Sequence, residues 1–156
     1  MRITILAVGT RMPGWVAGGV ETYRKRMPPH IQVDVIEIPS GHRSARGSVA
    51  VARQKEATAL RKHASRCDVV VALDETGQAW SSTALAEQMR GWLDGGAHVA
   101  LLIGGPDGLT DACRREAHAI WSLSRLTLPH GLVRVVLAEQ LYRAWTILQG
   151  HPYHRE

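Results

Sequence analysis

Three runs in this chain, Arg2–Val8, residues 69–73 and His98–Ile103, are almost wholly apolar and rich in β-branched side chains, with stretches of helical period between them. A strand that is apolar at nearly every position has to be covered on both faces, and parallel strands joined by helical crossovers achieve that. The expected fold class is therefore α/β with a largely parallel sheet. Gln32–Ile38 and residues 120–123 read as two further strands. Helices are expected over 15–27, Val49–Ala64, 83–93, 111–119 and 132–149, with Ser81, Ser82 and Thr110 as candidate N-caps. The last helix is unusual. Its apolar residues run round most of the circumference, more than a small domain can cover alone, which predicts contact with a second copy in a homodimer.

A length of 156 residues with 45% hydrophobic content suffices for one core, so 1–156 reads as a single domain. No apolar run approaches the ~20 residues of a membrane span, so no membrane role is expected. The N-terminus has neither a secretory apolar region nor a small-residue cleavage site, which points to the cytoplasm. Cys67 and Cys113 are too few and too far apart for a disulfide framework or a four-ligand zinc site, and His151 with His154 lacks a third ligand. No metal is expected.

The net charge of +5 is unevenly spread. Residues 1–66 hold 12 Lys and Arg against 4 Asp and Glu, a balance of +8, whereas 67–156 hold 7 against 10, a balance of −3. The clusters Arg24-Lys25-Arg26, Arg43 with Arg46, and Arg61-Lys62 suit a polyanion-binding face, although solvated helix faces carry the same pattern.

The first strand ends in Gly9-Thr10-Arg11-Met12-Pro13-Gly14, which lacks the spacing of a dinucleotide-binding turn, and no phosphate-binding G-x-x-x-x-G-K-[ST] loop exists. The glycine-rich turn instead follows the fourth strand, at Gly104-Gly105-Pro106-Asp107-Gly108, where the glycines are expected to let backbone approach a ligand. Ligands of open parallel sheets bind beyond the carboxyl ends of the strands. Three segments should then line one crevice: 73–77, the Gly104 turn and 122–130. Ser122 and Ser124 lack a nucleophile-elbow context, and Cys113 lies inside a helix without an activating neighbour, so covalent catalysis is not indicated. Trp80, Trp121 and Trp145 read as core rather than base-stacking residues. The C-terminal His151-Pro152-Tyr153-His154-Arg155-Glu156 is either a frayed polar end or a group able to stack on a base, move a proton and hold a phosphate.

Taken in order, Ile103-Gly104-Gly105-Pro106-Asp107-Gly108-Leu109, Trp121-Ser122-Leu123-Ser124, Leu126-Thr127-Leu128-Pro129-His130, the segment from Val133 to Trp145 and His151-Pro152-Tyr153-His154-Arg155 resemble the bacterial large-subunit rRNA pseudouridine N3-methyltransferases of the SPOUT class. Ala7-Val8-Gly9 with Met12-Pro13, and Ile36-Glu37-Ile38-Pro39, extend the resemblance over essentially the whole chain. It implies a homodimer with a C-terminal trefoil knot that binds S-adenosylmethionine and methylates N3 of a pseudouridine in helix 69 of 23S rRNA in assembled ribosomes. Such a knot runs against the ordinary rule that chains do not thread. Carried over by position, the implied cofactor contacts are Leu73, Gly104, Gly105, Leu123, Ser124, Arg125, Leu126, Thr127 and Leu128. The implied catalytic residues are Tyr153, His154 and Arg155, with Arg155 stabilising substrate charge and His154 or Tyr153 orienting the base or taking its proton; His130 is a weaker candidate. Arg11 and His42 stand where the family commonly has lysine. The rival readings are a non-catalytic ribosome-binding module on the same basic face and a nucleotide-cofactor oxidoreductase, which lacks its fingerprint.

Overall fold

Alternation along the central strands sorts the core into two halves. In the computed structural model, which describes residues 1–41 and 48–155, β1 (Arg2–Val8) sends Ile3, Ile5 and Ala7 to one face of the sheet and Leu6 and Val8 to the other. β4 (His98–Ile103) does the same with Val99, Leu101 and Ile103 against Ala100 and Leu102. The remaining elements, in chain order, are α1 (Gly14–Arg24), β2 (Gln32–Ile38), α2 (Val49–Ala64), β3 (Val69–Ala79), α3 (Ser82–Asp94), α4 (Asp111–Glu116), β5 (Ala119–Ser122), α5 (His130–Leu148) and a terminal 3-10 turn, Pro152–Arg155. Leu85 and Met89 of α3 and Leu137 and Leu141 of α5 close the first half of the core. Ala57 and Leu60 of α2 and Cys113 of α4 close the second. Each fully buried large aliphatic side chain contributes about 1.5–3 kcal/mol.

All strand pairs are parallel, in the order β2-β1-β4-β3-β5, as the apolar runs predict. All carboxyl ends therefore lie at one edge, with those of β4, β3 and β5 side by side. Ser81 and Thr110 cap α3 and α4 by accepting from the N–H groups of Ala84 (3.0 Å) and Cys113 (3.2 Å). Ser82 has another task, donating to Gln140 Oε1 at 2.7 Å and tying α3 to α5.

Three boundaries differ from expectation by three residues or more. α1 stops at Arg24 rather than residue 27, ahead of Pro28 and Pro29, which disfavour helix before them. α4 stops at Glu116 because β3 captures His118: its N–H donates to Val70 O (2.8 Å) and its Nδ1 accepts from Val70 N (3.0 Å). β3 does not end at Leu73. It pairs with β5 at Leu73 and again from Gln78, with residues 74–77 bulging between. Gly77 permits this, since a Cβ there would lie 2.6 Å from the Ile120 carbonyl carbon. No helix among the described residues is long and apolar enough to cross a membrane. The Arg43 and Arg46 pair, His42 and Glu156 lie outside the described residues.

Candidate active site

Because β4, β3 and β5 are neighbours, the segments that leave them cannot avoid one another, and they enclose an open cleft of about 870 Å³. Small-molecule sites usually span ~300–1,000 Å³. Leu73, Gly104, Gly105, Leu123, Ser124, Leu126, Thr127 and Leu128 all line it. Arg125 does not; its side chain is exposed on the outside of the same loop. His130 and Val133, at the start of α5, form part of the wall.

Hydrogen bonds join the three segments. Asp74 Oδ1 accepts from the N–H (2.9 Å) and hydroxyl (2.6 Å) of Thr76, an Asx turn that shapes the β3 bulge. Asp74 Oδ2 accepts from Arg114 Nη1 at 3.2 Å, and the same nitrogen donates to Leu109 O at 2.7 Å. Arg114 also pairs with Asp111. It thereby fastens the bulge to the glycine turn, whose Leu109 carbonyl also takes Arg53 Nη2 of α2 at 2.6 Å. Thr127 Oγ1 donates to Glu75 Oε2 at 2.9 Å and closes the link to the segment after β5. Within that segment, Ser122 Oγ donates to Ser124 O (2.8 Å) and Ser124 Oγ accepts from Leu126 N (2.9 Å). Burial pushes the Asp74 carboxyl up, but the Thr76 hydrogen bonds and the Arg114 guanidinium outweigh it and hold the group below its ordinary value.

The glycine turn is also demanded by close packing inside the protein. A Cβ on Gly104 would lie 2.6 Å from the Gly108 carbonyl carbon, and one on Gly105 would lie 2.8 Å from Val8 Cγ1 and 3.1 Å from Glu56 Oε1. Both glycines are required by packing within the protein, and both line the cleft. Gly108 has φ +75°, a left-handed conformation that favours glycine.

The tail is ordered, not frayed, but it lies elsewhere. Tyr153 sits against the middle of α5: its hydroxyl donates to Glu139 Oε1 at 3.1 Å and its ring meets Tyr142 edge-on at 4.8 Å. Tyr153, His154 and Arg155 are absent from the lining of the cleft, which touches α5 only at its first turn. A single chain therefore does not unite the expected cofactor residues with the expected catalytic ones.

A family model described as "Predicted SPOUT methyltransferase" matches residues 1–154. The chain belongs to the SPOUT methyltransferase family. Among its relatives is a protein of Hahella chejuensis named "Ribosomal RNA large subunit methyltransferase H", 54% identical with the whole of both chains covered. A protein of Alkalilimnicola ehrlichii with the same name is 51% identical over 99% of each. Solved structures with a similar fold include a probable methylase family protein from Haemophilus influenzae (TM-score 0.59, 12% identity, 97% of this chain and 69% of that one). Another is a probable methyltransferase from Bordetella pertussis (TM-score 0.57, 16% identity, 92% and 95%).

Some residues that shape this cleft or hold the tail carry little signal in the sequence. Arg114 was hidden because a short basic helix resembles any solvated one, although its i,i+3 pairing with Asp111 was visible. Asp74 and Thr76 fall in the 73–77 segment expected to line the crevice, and their D-x-T spacing is the Asx-turn signal that shapes its bulge. Glu139, which receives the tail, lies in a mostly apolar helix beside Gln140 and Arg143, and its i,i+4 spacing to Arg143 is its only local signal. Trp121 is buried and stacks on Trp80 at 5.1 Å, as the core reading of the tryptophans expects. The smaller groove on the other face of the sheet holds Cys67, whose thiol burial and Asp68 push up, the opposite of a reactive cysteine.

Proposed function

We propose that this protein is an S-adenosylmethionine-dependent methyltransferase that methylates N3 of a pseudouridine in helix 69 of 23S rRNA. We also propose that it works on assembled ribosomes in the cytoplasm, as a homodimer whose cofactor segments belong to a C-terminal trefoil knot. The observation that carries this reading is the full-length similarity, at about half of all positions, to proteins named as large-subunit rRNA methyltransferases.

The cleft fits such a cofactor. Leu73, Leu123 and Leu128 offer apolar surface for an adenosine, and the carboxylates of Asp74, Glu75 and Asp107 suit a ligand that carries a sulfonium and an ammonium. Gly104, Gly105, Ser124, Leu126 and Thr127 would hold it alongside them, with the backbone of Arg125 continuing the same loop. When bound, it supplies an electrophilic methyl group. The protein's main contribution is orientation, which can lower a barrier by up to ~7–11 kcal/mol.

The acceptor nitrogen of the base carries a proton that has to leave. Tyr153 does not take it, since its hydroxyl already donates to Glu139; burial and that carboxylate push its pKa up to about 12. Tyr153 therefore orients, His154 accepts the proton and Arg155 stabilises the anionic base. Since the tail lies away from the cleft of its own chain, it serves the cleft of the partner protomer. The partly exposed apolar residues of α5, with Leu132 and Trp15 exposed nearby on α5 and α1, supply surface for that pairing.

The test is incubation with labelled S-adenosylmethionine and ribosomes lacking the methyl group, with free rRNA in parallel, followed by mass spectrometry of the nucleosides. Label at pseudouridine N3 on ribosomes alone is expected. Absence of transfer from folded protein that also fails to bind the cofactor in calorimetry would instead favour a non-catalytic ribosome-binding module.

A further inference from the structure

Glu139 lies mid-way along α5 and gathers an unusual set of donors. Arg143 reaches it through Nε (2.9 Å) and Nη2 (2.6 Å), Gln140 Nε2 donates at 2.8 Å and Tyr153 Oη at 3.1 Å. Arg143 also lies over the Tyr153 ring, 5.0 Å from its centroid, while Tyr142 meets the same ring edge-on. Gln140 is itself fixed from α3 by Ser82. One carboxylate thus anchors the terminal turn to a helix braced from its other side.

We propose that Glu139 is a positioning residue for methyl transfer, acting through Tyr153 to set the angle of the C-terminal turn and hence of His154 and Arg155. The inference rests on the reading above, that the tail meets the substrate base. Its physical basis is geometric. The turn follows Gly150 (φ +67°), where the N–H groups of Gly150 and His151 donate to the carbonyls of Ile147 (3.2 Å) and Thr146 (2.9 Å) and turn the backbone off the end of α5, leaving side chains to set how the turn lies against the helix. Beyond it, the phenol clasp is the one side-chain hydrogen bond among the described residues that ties the turn to α5. Hydrogen bonds to charged groups are stronger than neutral ones, so the carboxylate form matters. The high pKa of the Tyr153 hydroxyl agrees with a donor held by an anion.

The experiment compares Glu139→Gln, Tyr153→Phe, the double variant and Arg155→Ala in the full-length protein, using labelled S-adenosylmethionine and ribosomes lacking the modification. Glu139→Gln and Tyr153→Phe should each lower kcat about tenfold or more, and the double variant should fall no further than the worse single one, because both break the same clasp. Cofactor affinity by calorimetry and mass by light scattering should stay at wild-type values, an outcome that general unfolding would not produce. Tyrosine ring NMR should find the Tyr153 titration displaced downward in Glu139→Gln. An inactive Arg155→Ala beside fully active Glu139→Gln and Tyr153→Phe overturns the role of Glu139 and leaves the tail reading standing. Full activity in all four, Arg155→Ala included, overturns both.

Discussion

Asp74 and Arg114 show how single residues hold a site made of backbone. The Asp74 carboxyl is held below its ordinary value, so its stabilising bonds are present at neutral pH and are lost as pH falls through its folded-state pKa. Asp74→Asn should therefore melt below wild type at pH 7, and the gap should close in acid below pH 3.8, its ordinary value; thermal melts over that range check it. Arg114→Ala should weaken S-adenosylmethionine binding by tenfold or more in calorimetry, since it frees the bulge from the glycine turn, with a stability loss of about 1–3 kcal/mol. Gly104→Ala should do similar damage for a steric reason, because the new methyl meets backbone that no side-chain movement can clear. Its readout is a lost cofactor affinity with the sheet intact by circular dichroism.

At the scale of elements, the strands were readable because burial on both faces leaves an unmistakable apolar run, and the caps at Ser81 and Thr110 were readable because their chemistry is local. What escaped was decided by partners far along the chain. The continuation of β3 depends on Ile120 and Trp121 accepting Gly77 against their backbone, and the early end of α4 depends on Val70. Eight of the nine cofactor residues expected from the resemblance line the cleft, but no sequence pattern told Arg125 apart from its neighbours. Gly77→Val should collapse the bulge and abolish cofactor binding while shifting Tm down, whereas Ser81→Ala should cost about 1 kcal/mol and leave binding alone.

Over the whole molecule, the basic clusters are not equivalent. Arg24 is taken by Glu21, Asp34 and the Val33 carbonyl, and Arg61 makes a two-bond pair with Glu116. Arg26 instead lies over the rings of Tyr23 and Tyr142, beside the tail, and Lys25 is exposed next to it. Replacing Lys25 and Arg26 by Ala should flatten the salt dependence of ribosome binding, by about one unit of slope per lost phosphate contact, more than replacing Arg61 and Lys62 does. If the tail serves its partner's cleft, mixing a chain ending at Gly150 with a Gly105-impaired chain should restore activity in heterodimers, and a monomeric mass in light scattering would overturn that arrangement. The strand order has a separate consequence for biosynthesis. β1 occupies an interior position, with β2 on one side and β4 on the other, and Arg2 finds its β4 neighbour only at His98. A growing chain that has made β1, α1, β2 and α2 thus carries an apolar strand with one unpaired edge until residue 103 has emerged, a state prone to edge-to-edge association. Folding should therefore be slow for a domain of this size and late in synthesis, with the cleft forming only after the start of α5 is available.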